Sequence, residues 1–316
     1  PTLLYDLDCA VCQYCRCRAA LDCKKWDVAI EAANDLLKYY PEFIKAEDYG
    51  MPASKLAEVN MRKGVTAEKP HGTGWNAEYP ADLNGLISKA KNPETIFGNG
   101  TATGTTQYWS ILGLNAVKST PSSYYQMDKD LYDSMSDADC RKACVLPQVF
   151  EGLNIFTHNG TDTTWYKYNM PAYTSLKWGA TCGLGQTKHR VEDTYANSSW
   201  FRSSAVVLML AEAYAQSNKD GDAKSTLNKL LAARTLPGNP TMTCDNTMSG
   251  KTALQMVQQQ WRIEMWGEGD WAFFNQKRWK TTFTRGANHW SKTGVPSEGW
   301  TWQIPQKERQ GNPYWK

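Results

Sequence analysis

Five cysteines fall close together near the start of this sequence, Cys9, Cys12, Cys15, Cys17 and Cys23, and thiolates at such short spacing can converge on one metal ion. The Cys-x2-Cys-x2-Cys-x-Cys run lacks the second, distant ligand pair of a zinc site. On a helix, Cys9 and Cys12 share a face, where a small apolar thiol substitutes for alanine at a tight helix contact. Cys140 and Cys144 have helical i, i+4 spacing and read as core or exposed thiols, not as a bridge. Nine cysteines make an odd number, so at least one is free or pairs with another chain. His71, His158, His189 and His289 are scattered, without a His-Glu-x-x-His, Gly-x-Ser-x-Gly or Cys/His signature. The run from Gly98 to Gly104 has the wrong glycine spacing for a phosphate loop and no lysine after it, and reads as a flexible connector. Two carboxylates across a cleft could hydrolyse a glycoside, but the sequence defines no such pair. No catalytic residue, metal or cofactor is therefore expected.

The aromatic residues carry a more positive signal. There are 14 Trp and 16 Tyr against 8 Phe, a bias toward flat rings with a polar edge, which suit wet interfaces. Such rings stack on the C–H face of a pyranose while amides, carboxylates or arginines at the rim take its hydroxyls. Trp75, Tyr79, Tyr108, Trp109, Trp165, Tyr166, Trp178, Trp290 and Trp300 sit outside strongly periodic helices and are the candidate ligand-binding residues. Trp26, Trp261, Trp266 and Trp279 lie on helical stripes and are expected in the core.

The elements that must hold these residues are mainly helical. Trp26, Ala29, Ile30, Ala33, Leu36, Leu37 and Tyr40 recur every three or four positions until Pro41 ends the pattern. With residues from about Cys9 to Asp22 as its partner, this helix has the layout of a tetratricopeptide-like pair. From Glu42 to Asn99 the chain reads mostly as loop, with a short helix near Leu83 to Lys91. Trp165 to Met170 alternates enough for a short strand. Val206, Val207, Leu210, Ala211, Ala213 and Tyr214 make a helix apolar on most sides, hence buried. Asn218 to Gly221 turns the chain into a second helix from Asp222 that Leu236-Pro237-Gly238 stops. A third runs from about Ser249 to Trp266 and ends in Gly267-Glu-Gly269, Trp271 to Trp279 continues as a short helix, and the tail from Trp302 to Pro313 is expected to be extended.

The chain has 316 residues and a balance of 35 Lys+Arg against 32 Asp+Glu, a net charge of +3. That is long enough for a sizeable core. No basic run makes a phosphate-binding stripe, so nucleic acid is not an expected partner. The longest apolar stretch, Ala205 to Ala215, is interrupted by Glu212 and is shorter than the ~18 residues that cross a bilayer. No basic n-region and apolar h-region opens the sequence, so any targeting signal is expected outside it.

The segment from Trp200 to Pro313 resembles the end of the SusD/RagB family. Phe201-Arg202, an apolar run and Ala211-Glu212-Ala213 come first, then Leu227-Asn228 and Arg234. Arg262-Ile-Glu264-Met-Trp-Gly-Glu268-Gly269 and Lys277-Arg278-Trp279 follow, and Ile304-Pro305-Gln-Lys-Glu308 with Asn312-Pro313 closes the set. Weaker matches lie in the Trp26 to Pro41 helix, in Asn92-Pro93-Glu94-Thr-Ile96-Phe97 and in Asp139 to Arg141. Trp271 stands where the family usually has Arg, and the segment before Arg262 lacks a common Glu-Arg pair, which implies weakened internal ion pairing. Glu212, Arg262, Glu264 and Glu268 are read as structural charges, tolerated in buried helices only when paired.

The resemblance implies one mainly α SusD-like domain over 1–316, with tetratricopeptide-like hairpins, long loops and minor β decoration. Within it, 9–41 is a helical hairpin, 42–199 a loop-rich ligand-facing region and 200–316 a C-terminal helical scaffold. It further implies a non-catalytic, lipid-anchored outer-membrane protein of Bacteroidetes that captures a glycan or other oligomeric nutrient and delivers it to a SusC-like TonB-dependent transporter. Family members are longer, and the missing part is an N-terminal region with further repeats. No cysteine here follows a cleavable apolar segment, so the anchor is expected upstream. The alternatives are a peptide-binding member of the same family, recognising backbone instead of stacking on sugars, and an α-helical glycoside hydrolase suggested only by tryptophan richness. A pure tetratricopeptide scaffold would show more than the two repeat-like hairpins found.

Overall fold

A computed structural model describes residues 8–50, 52–54, 92–99, 125–159, 162–178, 198–269, 271–282, 284–289 and 304–315. The short helix near Leu83 to Lys91 lies outside them, as do six of the nine candidate aromatics.

The first hairpin forms where the sequence period places it. Helix α1 (Cys9–Asp22) starts at Asp8, whose carboxylate accepts the amides of Ala10 and Val11, and helix α2 spans Trp26–Tyr39. Lys24 takes a positive φ of 58° in the turn between them. Val11, Tyr14, Cys17 and Leu21 face inward from α1, against Ala29, Ala32, Ala33 and Leu36 of α2. These alanines let the two backbones approach, close enough for the Cys17 thiol to donate to the Ala29 carbonyl at 3.5 Å. The small thiol at the helix contact is thus Cys17. Cys9 and Cys12, expected there, are exposed together with Cys15 and Cys23, because the buried stripe runs through positions 11, 14, 17 and 21. Cys140, Cys144 and Cys244 are buried free thiols.

Strand β1 (Thr95–Asn99) pairs antiparallel with β4 (Ser198–Arg202), and Phe97 lies opposite Phe201. Gly98 and Asn99 therefore belong to a strand and not to a flexible connector. Between them in the chain come the short helices α3 (Lys129–Asp133) and α4 (Cys140–Ala143) and a second antiparallel pair, β2 (Phe150–Asn159) with β3 (Asp162–Met170). The single short strand expected at Trp165 to Met170 is the second half of that hairpin.

Helix α5 (Ser203–Gln216) is buried around nearly its whole circumference. It packs against α2, α6 (Asp220–Ala233) and α8 (Ala253–Glu264), with the one-turn helix α7 (Cys244–Thr247) in between. Leu227, Leu230 and Leu231 of α6 and Met256, Val257 and Trp261 of α8 complete the main core with the α1–α2 hairpin. Full burial of one such side chain stabilises the fold by roughly 1.5–3 kcal/mol. Thr252 and Gln255 close α8 with reciprocal side-chain-to-backbone bonds, a capping box that satisfies two otherwise orphaned amides. Past α8, Gly267 and Gly269 adopt φ of 74° and 55°, conformations that glycine reaches at no steric cost. Helix α9 (Trp271–Trp279) follows. The tail is not extended throughout: Pro305 caps helix α10 (Gln306–Gly311), and Pro313–Trp315 forms a 3-10 turn. Proline restricts the residue before it, yet its own fixed φ suits the start of a helix.

Among the described residues, no helix is long and apolar enough to cross a membrane.

Candidate functional site

The motif charges meet in the interior, and their geometry decides what they can do. Arg202, at the junction of β4 and α5, reaches Glu94 at 2.8 Å, Glu264 at 2.7 Å and Glu268 at 2.6 Å. Arg234, at the end of α6, binds Glu94 at 2.6 Å and Glu264 at 2.9 Å. Arg141 joins Glu264 to Asp139 at 2.9 and 2.6 Å. Lys177 pairs with Glu268 and donates to the carbonyl oxygens of Glu264 and Trp266. Four cations, Arg141, Lys177, Arg202 and Arg234, thus face four carboxylates, Glu94, Asp139, Glu264 and Glu268. Charges this deep survive only when balanced and hydrogen-bonded, and Ser204, the Ile44 amide and the Ile44 carbonyl supply further bonds.

Burial works against ionised Glu264, but Arg234, Arg202 and Arg141 more than offset it and hold its carboxyl well below the usual range. At Glu94 burial is likewise outweighed by Arg234 and Arg202, and its carboxyl stays ionised at lower pH than an exposed one. Carboxyls so tuned carry no proton to donate near neutrality, which removes them as general acids. The cluster is a structural clasp. The expected weakening of internal ion pairing is not found here, since Arg234 and Lys177 join the network. Arg262, read as a paired interior charge, instead points outward and is exposed.

A second charge centre lies at Glu212 of α5. It accepts the indole N–H of Trp261 at 3.0 Å and of Trp279 at 2.7 Å, and the Arg278 guanidinium at 2.8 Å. Arg278 extends the chain of bonds to Asp22 of α1. One carboxylate so placed fixes two indoles in orientation.

Those indoles border a cleft of about 570 Å³ between the start of α3, helices α8 and α9, and the turn that carries Arg285 and His289. Trp261 and Trp271 form its floor, ring centroids 4.7 Å apart and planes 35° from parallel, with the Arg18 guanidinium 4.2 Å from the Trp271 ring centroid. Trp266, Phe273 and Trp279 are half-buried walls, and Tyr125 stands 58% exposed at the rim. Trp261, Trp266 and Trp279, expected as core alone, line this space as well, because a ring on a helical stripe can pack one face and present another. Cys clusters do not contribute: among the described residues no group of His, Cys, Asp and Glu could hold a metal.

Of the nine aromatics singled out from the sequence, Trp75, Tyr79, Tyr108, Trp109, Trp290 and Trp300 lie outside the described residues. Trp165 and Tyr166 fall in β3, opposite Phe156 and Ile155, and Trp178 ends the 3-10 helix Leu176–Trp178. The residues that reading missed are Trp271, Phe273, Tyr125 and Arg285. The signal that could have found the first two is the recurrence of rings from Trp261 to Trp279.

The charge clasp, the helix order and the closing motifs define a class. A model of the SusD family matches residues 93–314, and the chain belongs to that family. Among solved structures it is similar to a SusD-like carbohydrate-binding protein from Bacteroides vulgatus ATCC 8482, at 18% identity and a TM-score of 0.57, over 99% of this chain and 60% of that one. It is also similar to a SusD superfamily protein from Bacteroides thetaiotaomicron VPI-5482, at 16% identity and a TM-score of 0.54, over 91% of this chain and 55% of that one. The likeness is one of fold, and the chain spans between half and two thirds of the length of these structures. No curated protein matches it significantly in sequence.

Proposed function

We propose that this chain is a cell-surface nutrient-binding protein, without catalytic activity, that captures a glycan and delivers it to a SusC-like TonB-dependent transporter in the outer membrane. The observation that carries this reading is the SusD family match over residues 93–314. The neighbour from Bacteroides vulgatus described as carbohydrate-binding supports the choice of cargo. In this reading the chain is one SusD-like domain: 9–41 and 200–316 are scaffold, and the loop-rich region 42–199 with its aromatics faces the ligand. The membrane is reached, in this reading, through a lipid anchor.

The interior charges fit a scaffold role, since each carboxylate of the clasp is satisfied by protein partners. Rings supply apolar contact area at low entropic cost. Calorimetry of the purified chain against a panel of soluble polysaccharides should yield at least one binder with no release of reducing ends. Silence across the panel, or new reducing ends, refutes the reading.

A further inference from the structure

The cleft between α8, α9 and the 284–289 turn carries charged and polar groups that the clasp and the Glu212 centre leave wholly or partly unused. Arg262 and Arg285 both line it, and neither guanidinium has a hydrogen bond or ion pair to any described residue. By contrast, Arg141, Arg202, Arg234 and Arg278 are all bound to carboxylates. The carboxylate in the described lining, that of Asp128, is occupied: it accepts the Leu131 amide at 3.1 Å and the Gly286 amide at 2.5 Å. Two cations against one carboxylate leave the described lining at 2 − 1 = +1, and that carboxylate is turned to backbone N–H groups.

Two amides point the same way. Gln276 is only 8% exposed, and its side chain has no hydrogen-bond partner among the described residues. Asn275, 2% exposed, accepts Arg278 through Oδ1 at 2.7 Å while its Nδ2 makes no such bond. The sole enclosed side-chain N or O atom without a partner among the described residues is the Tyr14 hydroxyl, so both amides open onto the cleft. Amide groups open to the cleft in this way can donate to and accept from the hydroxyls of a ligand.

The turn that presents Arg285 is anchored. Asn288 accepts the Lys129 amide and donates to the Met127 carbonyl, each at 2.9 Å. Gly286 sits so close that a Cβ there would meet Asp128 Oδ1 at 2.7 Å. Arg285 thus projects from backbone pinned to the start of α3, and Arg262 from the outer face of a capped helix. Guanidinium groups carried on anchored backbone and free of carboxylate partners among the described residues match carboxylate or sulfate oxygens two at a time. The half-buried indoles of Trp266 and Trp279 offer ring surface that suits the C–H faces of a sugar, over a floor that Trp261 and Trp271 fill at 2% and 6% exposure.

We infer that this cleft binds an anionic saccharide, with its sugar rings on the indoles and its carboxylate or sulfate groups on Arg262 and Arg285. The inference rests on the glycan-capture reading and narrows it to the class of charged sugars. The purified chain is titrated calorimetrically with tetragalacturonate, with a sulfated tetrasaccharide, and with maltotetraose and xylotetraose as uncharged counterparts. Binding of at least one of the two charged probes, weakened tenfold or more by Arg262→Gln with Arg285→Gln and several-fold by Gln276→Ala at unchanged melting temperature, is the expected result. Arg262→Lys should recover part of the loss. Which charged probe binds tells uronate from sulfate recognition. Binding of only the uncharged probes, or binding of charged ones that ignores both arginines, overturns this assignment and leaves the capture function standing. Absence of binding to any saccharide removes both.

Discussion

Tyr14 is enclosed in the main core, its ring stacked on Phe201 with centroids 4.1 Å apart and planes 10° from parallel, yet its hydroxyl has no partner among the described residues. Burial pushes the phenol far above its ordinary titration range, so it is neutral and unsatisfied at every physiological pH. Tyr14→Phe should therefore raise stability by about 1 kcal/mol, read as a higher urea midpoint at constant slope. Glu264 is the opposite case. It holds Arg141, Arg202 and Arg234 together, and Glu264→Gln would strand their charge in the interior at a cost of about 3–5 kcal/mol, visible in the same denaturation experiment. The clasp also fixes a pH dependence. Folded Glu94 and Glu264 titrate below the ordinary value of 4.5, so the unfolded chain takes up protons first. Their contribution is complete above that value and is lost as pH falls through the depressed ones. Stability followed by melting should be level in pH from neutrality to about 5 as far as these groups are concerned and fall below it.

Helix α8 carries both the floor of the cleft and the centre of the clasp, and its start depends on Thr252. Thr252→Ala removes one half of the capping box and should cost about 1 kcal/mol, seen as a lower melting temperature with ligand contacts untouched. That helix was legible from the stripe of Leu254, Val257 and Trp261, as α1, α2, α5, α6 and α9 were from theirs, because a 3.6-residue period shows over 9–14 residues. The pairing of Thr95–Asn99 with Ser198–Arg202 was not. Five residues are too few to display alternation, and the partners are far apart in sequence. Strand β2 hides for another reason: Gly152, Asn154 and Asn159 lower its β propensity. At the site, the sequence could name Glu212, Glu264 and Glu268 as charges needing partners. It could not say that Arg234 and Lys177 would turn inward while Arg262 turned out, because a single helix turn separates those outcomes. Arg285 carries no local pattern, and only the anchoring of its turn by Asp128 gives it a place.

At the scale of the whole molecule, the thiols of the described residues are sorted. Cys9, Cys12, Cys15 and Cys23 lie on the surface, while Cys17, Cys140, Cys144 and Cys244 are inside. Burial raises Cys17 and Cys144 to about 12 and Cys244 to about 11, so these react slowly as well as being screened. Brief alkylation of the native chain followed by peptide mass mapping should label the first four and spare the others until denaturant is added. Labelling of Cys140 or Cys144 at the rate of Cys12 would contradict the packing around α4. The clasp also bears on how the chain can be made. Arg202 lies 108 positions after Glu94, Arg234 lies 140 after it, and Glu264 follows Arg234 by another 30. A ribosome delivering this polypeptide from its amino end exposes an unmatched Glu94, then two arginines short of a counter-charge, until the stretch holding Glu264 and Glu268 emerges. The clasp cannot close before the stretch that carries Glu264 and Glu268 has been made. Nascent chains stalled ahead of residue 264 should therefore stay open to protease. A clasp that draws its charges from four distant stretches thus ties closure of the core to the order of synthesis.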